Sequence, residues 1–175
     1  MANTTLGKAG AWALISGAVA ASALMLHHPT SLHGPDDGQL LGDWPNATVH
    51  GAMIVCLLAF ALGGEALTER LGRNRPMTLI GGLAFKGGIA AFAAASLING
   101  FAVPQVPEDA ATLWALNQTL AMFGLLSMAF ATGAFAVLMT TKGSGARLAA
   151  TPGLVMLLAA PVWAVSSGAY FGLHV

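Results

Sequence analysis

The sequence predicts an all-α, polytopic transmembrane helical bundle of about five helices, with its N-terminus in the cytoplasm and its C-terminus outside. Three observations predict it. The chain is 56% hydrophobic and only 8% charged over 175 residues, where soluble domains carry about a quarter charged residues. Five apolar stretches meet the length of roughly 17–25 residues that a helix needs to cross a bilayer. The basic residues gather on one side of those stretches.

With so few charges the chain cannot cover a water-facing surface, and a mean hydropathy of +0.73 agrees. Lipid is therefore the expected solvent, and residues 1–175 read as a single integral membrane domain. The spans fall near 9–26, 48–66, 77–98, 111–139 and 153–172. They are long and continuous rather than alternating every second residue. That favours helices over barrel strands, the two elements that satisfy their backbone in lipid.

The first span follows Lys8, and Ala21-Ser22-Ala23 within it resembles the cleavage site of a signal peptide. Against cleavage, the leader carries little positive charge and the apolar run continues through Leu24, Met25 and Leu26. A small-residue stripe, Ala13, Gly17 and Ala21, equips this helix for close packing. The outer loop 27–47 follows, rich in Pro, Gly and Asp. Asn46-Ala47-Thr48 fits a glycosylation acceptor, but Asn46 reads better as the cap of the second helix.

The second span holds Cys56, which as the only cysteine has no intramolecular disulfide partner. Gly63-Gly64 prepares this helix for a close neighbour, and Glu69 and Arg73 stand four apart in the favourable order for a helix pair. Residues 68–76 form a basic turn with Arg70, Arg73 and Arg75. The third span carries Gly81-Gly82, Gly87-Gly88 and Lys86. Residues 99–109 read as a loop, with Pro107, Glu108 and Asp109 as the cap of the fourth helix. The fourth span is longer than a bilayer requires and should tilt or project. Gly124 and Gly133 on it serve close packing; Asn117, Gln118 and Thr119 call for interhelical hydrogen bonds. Residues 140–152 return the chain with Lys142 and Arg147, and Pro161 should kink the fifth helix at Leu157.

Orientation follows from counting. Lys8, Arg70, Arg73, Arg75, Lys142 and Arg147 share one side, and the loops of the other side hold no Lys or Arg. The positive-inside rule makes the basic side cytoplasmic. Trp12, Trp44, Trp114 and Tyr170 fall near the predicted interfaces. The bilayer is thus the first partner, in an inner membrane of bacterial type, with other membrane subunits or a second copy as further partners. Zero net charge argues against nucleic acid.

Two constellations carry chemistry. All five histidines, His27, His28, His33, His50 and His174, fall on the outer side, with Asp36, Asp37 and Asp43 in the first outer loop and Glu108 and Asp109 on the same side. His50 and Met53 share a helix face. Histidine with thioether suits copper, and histidine with carboxylate suits zinc or nickel. Haem would take His27 or His28 together with His50. No histidine lies on the cytoplasmic half, which excludes a two-haem path across the membrane. No spacing matches a specific metal motif, and turn or helix-end roles explain the same residues. Lys86 is the second feature. It sits about nine residues into its helix, roughly 14 Å from the edge, and Glu65 is its natural partner.

The chain carries no phosphate loop, nucleophile elbow or dinucleotide fingerprint. The reading is therefore a non-catalytic or accessory membrane subunit. The alternatives are a metal- or haem-binding protein using the histidines and Met53, and a small-solute or proton transporter using Lys86, Glu65, Asn117 and Gln118. No inverted repeat supports the last.

Overall fold

The computed structural model describes residues 4–28, 44–140, 147 and 150–162. His33, His174, Asp36, Asp37, Asp43, Lys142, Tyr170 and the second half of the fifth span lie outside the described residues. The helices are α1 (Thr4–Leu26), α2 (Asn46–Leu71), α3 (Pro76–Leu97) and α4 (Ala110–Thr140), followed by α5 (Ala150–Val162). The described residues contain no strand. Four segments are long and apolar enough to cross a membrane: Gly7–Leu26, Asn46–Leu71, Pro76–Gln105 and Pro107–Thr140. The protein is an all-helical bundle of membrane-spanning dimensions. At 31 residues, α4 is about 46 Å long, well beyond a hydrocarbon core of about 30 Å.

Local chemistry sets the ends. Gly72 closes α2 at φ 97, a left-handed conformation that glycine adopts without a Cβ penalty. Its N–H donates to the carbonyls of Thr68 and Glu69, and Arg75 N–H returns to the Gly72 carbonyl at 3.0 Å. Pro76 then occupies the first position of α3, where a missing N–H does no harm. Thus α2 runs five residues past the predicted 66, and Arg73 sits in the turn beyond it.

Two expectations about ends need correcting. Asn46 does not cap α2: Pro45 holds that position and no side chain caps the helix. The Asn46 amide instead donates to the Asn99 carbonyl at 2.8 Å. Nor are residues 99–109 an open loop. The chain continues from α3 as a π turn, Ile98–Ala102, then a 3-10 turn, Val103–Gln105. Pro104 has no N–H to give the Gly100 carbonyl, so the ordinary helical ladder cannot continue there. Pro107–Asp109 forms a second 3-10 turn ahead of α4. Its two acids stand at the helix entry, although no side chain closes a capping bond.

Packing is pairwise. The α3–α4 and α1–α2 contacts are the most extensive, α2 joins the two pairs through α3, and among the described residues no Cα of α1 comes within 8 Å of one in α3 or α4. Small residues make the close approaches, as lipid-embedded helices require. On α1, Gly10 joins the predicted stripe: Gly17 lies close to α2 and Ala21 packs against the Leu24, Val49 and Cys56 cluster. A Cβ on Gly10 would lie 2.2 Å from Ala66 Cβ, and one on Gly63 would lie 2.9 Å from the Gly10 carbonyl oxygen. Gly88 and Gly124 do the same between α3 and α4, whereas a Cβ on Gly87 would meet nothing within 4 Å. Gly133 receives Leu157 of α5.

The antiparallel helices give the bundle two ends. One carries Arg70, Arg73 and Arg75; the other carries His27, His28 and His50. The arginine half holds the main core of Leu57, Leu71, Phe85, Ile89, Ala131 and Phe135. Gly64 lets the Phe85 ring in, and Phe85 meets Phe135 with ring centroids 6.1 Å apart. A smaller cluster of Leu24, Val49 and Cys56 joins α1 to α2 nearer the histidine end.

Candidate functional site

The histidine half opens into a cavity of about 780 Å³ among α1, α2, α3 and α4. Since the α1 and α4 backbones stand more than 8 Å apart, they form opposing walls. Its α1/α2 wall presents Ser22, Met25, His28, His50 and Met53. Its α3/α4 wall presents Ser96, Asn99, Asn117 and Gln118. Deeper in, Leu57, Phe60, Phe92 and Met128 supply an apolar interior. From His50 to Phe60 the cavity follows α2 for roughly 15 Å.

His50 anchors the polar end. It is only 7% exposed, and both ring nitrogens are engaged. Nδ1 lies 2.9 Å from the Asn46 carbonyl oxygen, and Nε2 lies 3.1 Å from Asn99 Nδ2. The tautomer that satisfies both contacts has the proton on Nδ1, donating to Asn46, while Nε2 accepts from Asn99. Gly100 makes room for the ring: a Cβ there would stand 2.5 Å from His50 Cβ. Asn46, His50 and Asn99 thereby tie the start of α2 to the π turn after α3.

The other predicted residues divide clearly. His28 meets His50 edge to face with ring centroids 5.0 Å apart. His27 turns to the other side and stacks on Trp44 at 4.3 Å and 12°. Among the described residues, no three of His, Cys, Asp and Glu gather as a metal-binding group. Met53 does line the cavity, and so does Met25. Asn117 and Gln118 make no hydrogen bond among the described residues. Their amides face the cavity instead of a neighbouring helix, contrary to the interhelical bonds expected of them. Thr119 turns back to its own helix, donating to the Ala115 carbonyl at 2.9 Å.

Lys86 and Glu65 belong elsewhere. Lys86 Nζ stands 3.0 Å from Glu65 Oε2, with the two side chains 57% and 32% exposed. Arg73 bridges Glu65 and Glu69, at 2.5 Å from the latter. Two cations and two carboxylates thus form a neutral chain from the middle of α3 to the turn after α2. Snorkelling by a four-carbon stem explains how Lys86 reaches a partner nearer the helix end. Neither residue lines the cavity, so the four groups named for a transport path are split between two sites.

Sequence reasoning missed Asn99, Gly100 and Ser96, which it placed in a loop or in anonymous apolar helix. A signal existed for Asn99. It ends an apolar run at a depth matching His50, and an amide there needs a partner. Compared with protein families, curated proteins and solved structures, the chain matches none.

Proposed function

We propose that this protein is a non-enzymatic, multi-pass inner-membrane component that holds one small neutral amphiphile in its cavity, with the arginine end in the cytoplasm. The observation that carries this reading is the lining. It is mostly apolar, and it includes no Lys, Arg, Asp or Glu among the described residues. A volume near 780 Å³ falls in the usual range of about 300–1,000 Å³ for small-molecule sites, which pair apolar walls with a few placed polar groups. Asn117 and Gln118 present hydrogen-bonding groups that nothing else in the described protein uses. They suit a head carrying a carbonyl or hydroxyl, with the apolar body lying against Phe60, Phe92 and Met128.

The orientation rests on the positive-inside rule applied to Lys8, Arg70, Arg73 and Arg75. An accessory role rather than catalysis is favoured because the lining offers no charged acid–base pair among the described residues, and its most buried titratable side chain, His50, is hydrogen-bonded at both nitrogens. An ion path is disfavoured by the same neutrality, with Lys86 and Glu65 paired outside the cavity. Haem is disfavoured by the contact between the His28 and His50 rings. Two imidazoles on opposite faces of a metal, at about 2 Å per bond, need their ring centres farther apart than 5.0 Å.

Native mass spectrometry from mild detergent tests the reading. The wild type should carry one neutral adduct, and Ala121→Trp, which fills the cavity from α4, should lose it. An adduct retained by Ala121→Trp, or a wild type free of any adduct, would overturn the proposal.

A further inference from the structure

The wall opposite the amides has a pattern of its own. Met25 lies in the last turn of α1 (Thr4–Leu26) and His28 two residues beyond its end; on α2, His50 and Met53 are three apart. Residues at i and i+3 of α2 share a helix face, and the turn after α1 returns the His28 N–H to the Met25 carbonyl at 3.4 Å. All four line the cavity, and the two histidine rings are in contact.

From this geometry we infer a binding site for a soft monovalent cation, Cu(I) in chemical class, built from Met25, His28, His50 and Met53. It goes beyond the neutral-guest reading, because its donors stand on the other wall. Two imidazoles on one tetrahedral ion, at about 2.0–2.1 Å per nitrogen, place their ring centres roughly 5 Å apart. The observed separation is 5.0 Å. Thioether sulfur selects Cu(I) over harder divalent ions. His50 already has the supporting bond that a ligating histidine uses: Nδ1–H on the Asn46 carbonyl fixes the ring. Asn99 holds the Nε2 lone pair through a hydrogen bond, which a metal bond replaces. The cation binds without changing oxidation state.

The test is an anaerobic titration of the detergent-purified protein with Cu(I) against a chromogenic Cu(I) chelator, with X-ray absorption on the loaded sample. The wild type should bind one equivalent through both nitrogen and sulfur. Met25→Leu and Met53→Leu keep side-chain volume and remove only the sulfur; each should weaken binding at least tenfold and lower the sulfur signal. Asn99→Ala, which removes the competing donor, should bind Cu(I) at least as tightly as wild type. Ala121→Trp should lose the neutral adduct and keep the Cu(I) site, so failure of one reading is distinguishable from failure of the other. A wild type that cannot compete with the chelator, or Leu variants that bind as well as wild type, would overturn the inference.

Discussion

The arginine half and the histidine half of this bundle are made from the same helices but solve different problems. In the arginine half, glycines at 10, 63, 64 and 81 let neighbours approach, and Phe85 and Phe135 fill what remains. In the histidine half the walls stand apart, and the connection between α2 and the end of α3 is polar, through Asn46, His50 and Asn99. Apolar collapse does not drive association inside lipid. Tight contact therefore appears only where small residues permit it, and a cavity persists where methionines, serines and amides line the helices instead.

The largest expected contrast is in core deletion. Phe135 is 2% exposed, and Phe135→Ala should lower stability by about 3–5 kcal/mol. Phe92→Ala, which enlarges an existing cavity, should lose clearly less. Reversible thermal or denaturant unfolding in lipid nanodiscs measures both. Equal losses would break the distinction between a packed half and an open one.

Next comes the charge chain. Glu65→Gln leaves Lys86 without its carboxylate inside α3, and should lower stability by about 1–2 kcal/mol once partial exposure is discounted. Lys86→Met alone should matter less, because Glu65 keeps Arg73. The double variant should recover most of the loss, and a double-mutant cycle with no coupling would show the pair to be passive.

At the histidine end the effects should be smaller but coupled. Asn99→Ala removes the donor to His50 and should lower stability by about 1 kcal/mol. Asn46→Ala should produce a similar loss, and the two should combine to less than their sum because one side chain reaches the other residue's backbone. Strict additivity would separate the Asn46–Asn99 bond from the His50 network. The smallest change is expected at Thr78, fully buried with an unpaired hydroxyl. Thr78→Val keeps the shape and removes the unsatisfied group, so stability should stay within about 0.5 kcal/mol or rise. A loss beyond 1 kcal/mol would mean that the hydroxyl has a partner.

Much of this was legible beforehand, for identifiable reasons. The helices are visible because a bilayer demands long apolar runs, and the turn at Gly72–Pro76 because glycine and proline have fixed conformational meanings. Lys86 and Glu65 were readable as partners because a lone ammonium at that depth needs one. What misled was always a choice between local and distant partners. Asn46 looked like a cap because the residue before a helix usually is one, yet its amide found the Asn99 carbonyl across the bundle. Asn117 and Gln118 looked like interhelical bonds, yet they face open space. Gly87 looked like a packing residue only because it stands beside Gly88.

By itself, then, the sequence determined the helical class, the four long apolar helices able to cross a membrane, and the residue types at each end, since all three follow from one-dimensional hydropathy and charge. Only the tertiary structure decided that α1 and α4 stand apart, that His50 is bound through both nitrogens, and that Met25, His28, His50 and Met53 share one wall. Those facts depend on the rotation of each helix about its own axis. Lipid exerts little preference over that rotation, and it is set by the few small residues where backbones meet.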